Sequence, residues 1–317
     1  MQFQARLLSA LAVVGVTLLG GCSLLAPSPT SGRSSSAGPD RSSAAPRPDI
    51  ASLVEIGGGR RLYLECRGSG SPTIVFVSGT GGAADEWMSV LDRSDAQAQP
   101  ALSSASVFDT LAHEIRVCAY DRPGTTLASG APAPSTPVRQ PTTAGQAAGD
   151  LQNLLMAAKE PGPYILVGAS WGGLIAQQVA RTIPKEVRGV VLVDSASAFL
   201  KDTLTAEQWP AWMAAIATAH TASPGAESPD YDTSFVELAT AGGMPDVPAT
   251  VLSSDQPWDL GVTPGESTWP AWLAAQDRLA HSLDSQHVSK TDSGHGIAVE
   301  QPALVAEAIR EVVARSR

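Results

Sequence analysis

The stretch Tyr164–Leu174, Tyr-Ile-Leu-Val-Gly-Ala-Ser-Trp-Gly-Gly-Leu, constrains this chain more than any other. An apolar run of strand length ends in Gly168-x-Ser170-x-Gly172. Apolar residues then recur at helical spacing through Ile175, Ala176, Val179 and Ala180. A strand turning that abruptly into a helix holds the serine at the apex of a strained turn. Its hydroxyl then stands clear of the sheet, with the next backbone N–H beside it. Glycines on either side let the strand and helix backbones close on each other. Gly-x-Ser-x-Gly also arises by chance, so reading Ser170 as a nucleophile requires a base, an acid and a second oxyanion donor elsewhere in the chain.

A chain of 317 residues accommodates one large α/β domain with extensions, and 43% hydrophobic residues suit a globular core. A net charge of −10 argues against a nucleic-acid partner. Residues 1–21 read as an export signal. Arg6 supplies the positive segment, and Leu7 to Leu19 form an apolar stretch too short for a permanent membrane span. That stretch ends Leu19-Gly20-Gly21-Cys22, which resembles the lipobox of bacterial lipoproteins. The resemblance implies cleavage before Cys22, lipid attachment there, and a membrane anchor on the extracytoplasmic face. The alternative is an ordinary signal peptide with an incidental cysteine. Residues 22–49 are rich in Ser, Pro, Ala and Gly, and read as a disordered tether to a domain at 50–317.

Within that domain, Leu53–Ile56 and Arg60–Cys66 read as a hairpin around Gly57-Gly58-Gly59. Thr73–Val77 is a short apolar run of the buried-strand kind, leading into Ser78-Gly79-Thr80-Gly81-Gly82. Glycines there let backbone N–H groups approach a substrate oxygen. A plain strand-to-helix turn is the simpler reading. Arg116–Tyr120 is the next strand, followed by Asp121-Arg122-Pro123-Gly124; Asp121 and Arg122 are expected to pair and hold that loop.

Taken in order, Ser-Gly-Thr-Gly-Gly, Tyr-Asp-Arg-Pro-Gly, Gly-Ala-Ser-Trp-Gly-Gly and Val-Leu-Val-Asp-Ser resemble the α/β-hydrolase fold family, in particular its exported bacterial serine hydrolases. The resemblance covers roughly residues 51–315. It implies an α/β fold with a mostly parallel eight-stranded sheet flanked by helices. Two departures stand out. Ser78 replaces the histidine common before the oxyanion glycines, and Gly124 is followed by no second glycine. The resemblance implies Thr80 and Trp171 N–H groups as oxyanion donors, and Ser170 rather than an aspartate as nucleophile. It also makes the strands carrying Cys66 and Cys118 neighbours, so a Cys66–Cys118 disulfide is expected after export.

Of five histidines, only His295 lies in a loop, Ser-Gly-His-Gly, of the kind where the family carries its base. A serine hydroxyl needs such an imidazole to take its proton. Two carboxylates compete to orient it. Asp255 follows the strand before the histidine loop, the family's commonest arrangement, but forty residues separate it from His295. Asp194 ends the strand after the elbow helix, as in some lipases, and is preferred. Residues 197–246 hold no core strand and are read as a helical cap insertion. Trp209, Trp212, Met213 and Ile216 form one apolar stripe; Phe235, Val236 and Leu238 form a weaker one.

The expectation is a monomeric serine hydrolase of carboxylic esters, acting on a small-molecule ester or acyl substrate with no cofactor or metal. Peptidase, lactonase and acyltransferase chemistry use the same triad. A non-catalytic surface binding lipoprotein is the alternative of another class.

Overall fold

The computed structural model describes residues 47–262 and 266–316. The export signal, Cys22 and most of the expected tether lie outside the described residues. Eight strands form the main sheet: β1 (Ile50–Gly57), β2 (Arg60–Arg67), β3 (Thr73–Val77), β4 (Val117–Tyr120), β5 (Tyr164–Ala169), β6 (Val187–Val193), β7 (Ala249–Leu252) and β8 (Gln286–Val288). Their order is β1-β2-β4-β3-β5-β6-β7-β8. The first three in that order pair antiparallel, and the rest are parallel.

The central parallel strands are nearly continuous apolar runs because helices cover both faces. Every residue of β3, β4, β5 and β7 is buried. One face packs against α2 (Ala144–Ala157) and α3 (Trp171–Thr182), through Val75, Leu166, Leu151, Leu154 and Ile175. The other packs against α1 (Val107–Ala112) and α9 (Pro302–Arg315), through Phe76, Val167, Phe108, Ile309 and Val312. Thr143 caps α2 in a reciprocal box with Gln146, a device worth about 1 kcal/mol.

At the β2–β4 pairing Cys66 stands opposite Cys118, and the two are joined in a disulfide. Residues 47–49, expected in the tether, lie against the domain. Arg47 donates to Glu160 and to Gly70 O, and the buried Arg116 donates to Pro48 O. Buried Glu160 already pairs with Arg116 and takes the second guanidinium as well, which ties down the end of the segment.

Between β6 and β7 run α4 (Leu200–Thr203), α5 (Gln208–Ala222) and α6 (Tyr231–Thr240). Trp209, Trp212, Tyr231 and Phe235 form an aromatic cluster there, with ring centroids 4.7–6.0 Å apart. Val236, expected in the apolar stripe, is 64% exposed, because the helix turns it away from that cluster. After β7 come α7 (Trp269–Ser282), β8 and the short α8 (Ile297–Glu300). No described helix is long and apolar enough to cross a membrane.

Candidate active site

Ser170 sits between β5 and α3 with φ 49° and ψ −121°. A non-glycine residue held there stores backbone strain that its surroundings must over-determine. Three bonds do so: Ser170 N–H donates to Val193 O, and Ser170 O accepts from Gly173 and Ala196 N–H, all at 2.9–3.1 Å. The flanking glycines are required by contact. A Cβ on Gly168 would lie 2.5 Å from Gly172 O, and one on Gly172 would lie 2.1 Å from Val77 O.

Asp194 ends β6, fully buried and also at positive φ, 42°. Its Oδ1 accepts from Ser254 N–H at 3.0 Å and Ser254 Oγ at 3.2 Å; its Oδ2 lies 2.7 Å from His295 Nδ1. A carboxylate accepts only, so the imidazole proton faces Asp194 from Nδ1, and Nε2 is left as the free acceptor. Asp255 does other work. It is exposed, and its Oδ1 accepts from Ser293 N–H at 3.0 Å, two residues before His295. Asp194 therefore touches the imidazole, and Asp255 braces the loop that carries it.

The imidazole also stacks on Trp258, with ring centroids 4.1 Å apart, and meets Trp272 edge-on at 5.4 Å. Trp258 Nε1 donates to Ser254 Oγ at 3.0 Å, so ring and carboxylate share one anchor. Ser254 and Trp258 carry no motif of their own. Their proximity to Asp255 in sequence was the one signal available.

In the loop expected to hold the oxyanion donors, most N–H groups are already engaged. Gly79 N–H donates to Glu86 Oε2 at 3.1 Å, Gly81 N–H to Glu227 Oε2 at 2.7 Å, and Gly82 N–H to Gly79 O at 3.2 Å. Among the described residues Thr80 N–H has no acceptor, nor has Trp171 N–H at the first turn of α3. Ser78, where a histidine is common, donates its hydroxyl to Ala83 O at 2.7 Å and closes the loop from below.

Arg122 does not pair with Asp121. Its guanidinium is buried against Glu227 of the cap segment, with Nε 2.5 Å from Oε1 and Nη2 2.9 Å from Oε2, while Nη2 also reaches Gly79 O at 2.6 Å. The pair thus grips the loop on both sides of Thr80. Burial and the Glu227 charge act in opposite directions on Arg122, and the net shift is upward. Asp121 instead accepts from Ala84 N–H at 2.8 Å. Sequence patterning offered no signal for Glu227, because its partner lies 105 positions away.

Ser170, His295, Thr80 and the cap residues Trp212, Ile216 and His220 line one cavity of about 1020 Å³. The cap stripe thus contributes directly to the wall. No hydrogen bond joins the Ser170 hydroxyl to His295 among the described residues; such bonds are often long before substrate binds. For a metal, the described residues bring together Cys66, Cys118 and Glu160, whose two sulfurs are already joined.

A strand–elbow–helix serine, a buried acid–imidazole pair and a glycine-rich loop on a mostly parallel sheet define one class of protein. The sequence matches the alpha/beta hydrolase fold family over residues 72–267, more than half of the chain, and the chain belongs to that family. It is similar to an uncharacterized protein of Schizosaccharomyces pombe, 30% identical over 155 residues. That match covers 45% of this chain and 28% of the yeast protein. Among solved structures it is similar to a thermophilic esterase from Thermogutta terrifontis, with 21% identity, TM-score 0.51, and 86% and 99% of the two chains covered. The enol-lactonase from Burkholderia xenovorans LB400 has 18% identity and TM-score 0.51, with 82% and 99% covered. Epoxide hydrolases from metagenomes of hot environments give 16% and TM-score 0.57, with 83% and 97% covered. At these identities the likeness is one of fold.

Proposed function

We propose that this protein is a serine hydrolase that cleaves carboxylic esters through Ser170, His295 and Asp194. The observation that carries the reading is the 2.7 Å contact between buried Asp194 and His295, on the wall of the cavity that Ser170 enters. Ser170 Oγ bonds to the ester carbon while its proton passes to His295 Nε2. The carbonyl electron pair moves onto oxygen, which the Thr80 and Trp171 N–H groups stabilise. Each such donor is worth about 10²–10³ in turnover. The intermediate collapses, the C–O bond to the alcohol breaks, and the leaving oxygen takes the proton from His295. Water then repeats the sequence on the acyl-enzyme, releasing acid and restoring Ser170. Asp194 holds the tautomer and the imidazolium throughout.

We also propose that the chain is exported and lipid-anchored at Cys22, and acts as a monomer. Support for export and anchoring comes from the residue pattern of positions 1–22 and from the Cys66–Cys118 disulfide, which suits an oxidising compartment.

A fluorophosphonate probe tests the chemistry. Wild type is expected to carry the adduct on Ser170 and to hydrolyse esters; Ser170→Ala is expected to lose both. Folded protein without an adduct refutes the proposal. A panel of esters, lactones and amides ranks the acyl chemistries.

A further inference from the structure

The ester mechanism leaves one carboxyl of the catalytic cavity unused. Four acids line the cavity: Asp85, Glu86, Glu227 and Asp259. Glu227 is neutralised by Arg122, Asp259 caps the turn at Gly261 and Thr268, and Asp85 accepts from Ala128 N–H. Glu86 differs from these in its place beside Ser170. Its Oε2 is held by Gly79 N–H, while Oε1 accepts no hydrogen bond among the described residues. A Cβ placed on Gly79 would lie 3.4 Å from Ser170 Cβ and 3.8 Å from Glu86 Oε1. The free oxygen therefore stands across a single glycine from the nucleophile.

No lysine or arginine is among the described residues lining this cavity, whereas Trp212, Tyr231, Trp258 and Trp272 are. An anionic acyl group would meet these carboxylates with no lysine or arginine on the wall to pair it. A cationic one would meet a carboxylate and aromatic rings, both of which attract it. Burial pushes the Glu86 carboxyl up, against the opposing pull of Arg122, Gly79 N–H and His295. Burial makes its anion costly, and an incoming cation offsets that cost.

We propose that Glu86 is the specificity residue for a cationic amine on the acyl part of the substrate, so that the preferred esters are those of amino acids or similar amine-bearing acids. The inference rests on the ester reading above. The ammonium binds Glu86 Oε1 while the adjacent carbonyl lies over Ser170. An alkyl isostere leaves that oxygen without a partner, which is how a polar pocket rejects an apolar competitor.

The test uses two ethyl esters of the same shape, those of alanine and isobutyric acid, on wild type and Glu86→Gln. Glu86→Gln keeps an acceptor for Gly79 N–H but loses the charge. The ratio of kcat/KM for the amine ester over the neutral one is expected to fall about tenfold or more in the variant. Intrinsic reactivity of the two esters cancels in that comparison. A second readout needs neither turnover nor the variant. At twice its dissociation constant, propylammonium is expected to slow fluorophosphonate labelling of wild-type Ser170 about threefold, and 1-propanol is not. An unchanged ester ratio, or equal protection by amine and alcohol, overturns the inference. Labelling and ester hydrolysis without amine selectivity defeat this inference alone. Absence of both labelling and hydrolysis defeats the ester reading itself.

Discussion

Replacing Glu227 by Gln tests whether the cap holds the oxyanion loop in place. The side chains of Glu227 and Arg122 are both 2% exposed, and three donors converge on the carboxylate: Arg122 Nε, Arg122 Nη2 and Gly81 N–H. Glutamine offers one oxygen and sets an NH₂ against at least one donor. Removing one partner from a buried ion pair costs about 3–5 kcal/mol, because the remaining charge is left uncompensated. For a domain of this size, 3 kcal/mol lowers the melting temperature by about 6–12 °C. Gly81 N–H also loses its anchor, so Thr80 N–H is no longer held toward the oxyanion position. Turnover is then expected to fall about 10–100-fold, short of the full loss of a donor, with KM little changed. Thermal unfolding and steady-state kinetics on an ester read the two effects. The double variant Arg122→Met/Glu227→Met separates them, since an apolar pair restores much of the stability but grips no loop. A Glu227→Gln protein that melts within 2 °C of wild type and turns over within about twofold refutes the reasoning. So does a double variant whose kcat recovers along with its stability.

Three other outcomes follow from the same geometry. Asp194→Asn is expected to cut kcat about 10⁴-fold by reversing the imidazole tautomer. Asp255→Asn costs only about 1–2 kcal/mol of stability through the Ser293 bond, and kinetics showing the reverse order contradict the site. Burial pushes the Asp121 carboxyl up to about 6, and its Oδ2 has no partner. The folded state therefore binds more protons than the unfolded chain between about pH 4 and 6, so stability falls as pH rises through that window, by about 3 kcal/mol in total. Urea titrations of Asp121→Asn should lose this slope, and an unchanged slope excludes Asp121 as its source. Cys66 and Cys118 close a 52-residue separation, so reduction or a double Ala variant should lower stability by about 4 kcal/mol, read by denaturant unfolding.

The structure also separates what was legible in the residues from what was not. The elbow was legible because its constraint is local. Gly168 and Gly172 lie within two residues of Ser170, and the clash a Cβ would make there is with nearby backbone. The buried strands announced themselves as apolar runs for a similarly local reason. His295 stood out because its loop carries glycines and no competing histidine. Which carboxylate meets the imidazole was not decidable in this way. Asp194 and Asp255 both follow a strand of the sheet, and sequence separation from His295 ranks them without showing where either side chain points. Register across the sheet decides it. Val193 pairs with Leu252, which sets Asp194 beside Ser254 and beneath the histidine loop.

By itself, then, the sequence determined the alternation of strand and helix, the strained serine and the histidine loop, since steric and periodic rules act over a few residues. Tertiary structure alone decided the partners that reach those groups from afar. Glu227 arrives from the cap, Trp258 from the loop after β7, and Glu86 folds back beneath Gly79. Such contacts depend on how loops of different length pack over one sheet edge, and no spacing rule in a linear chain carries that information.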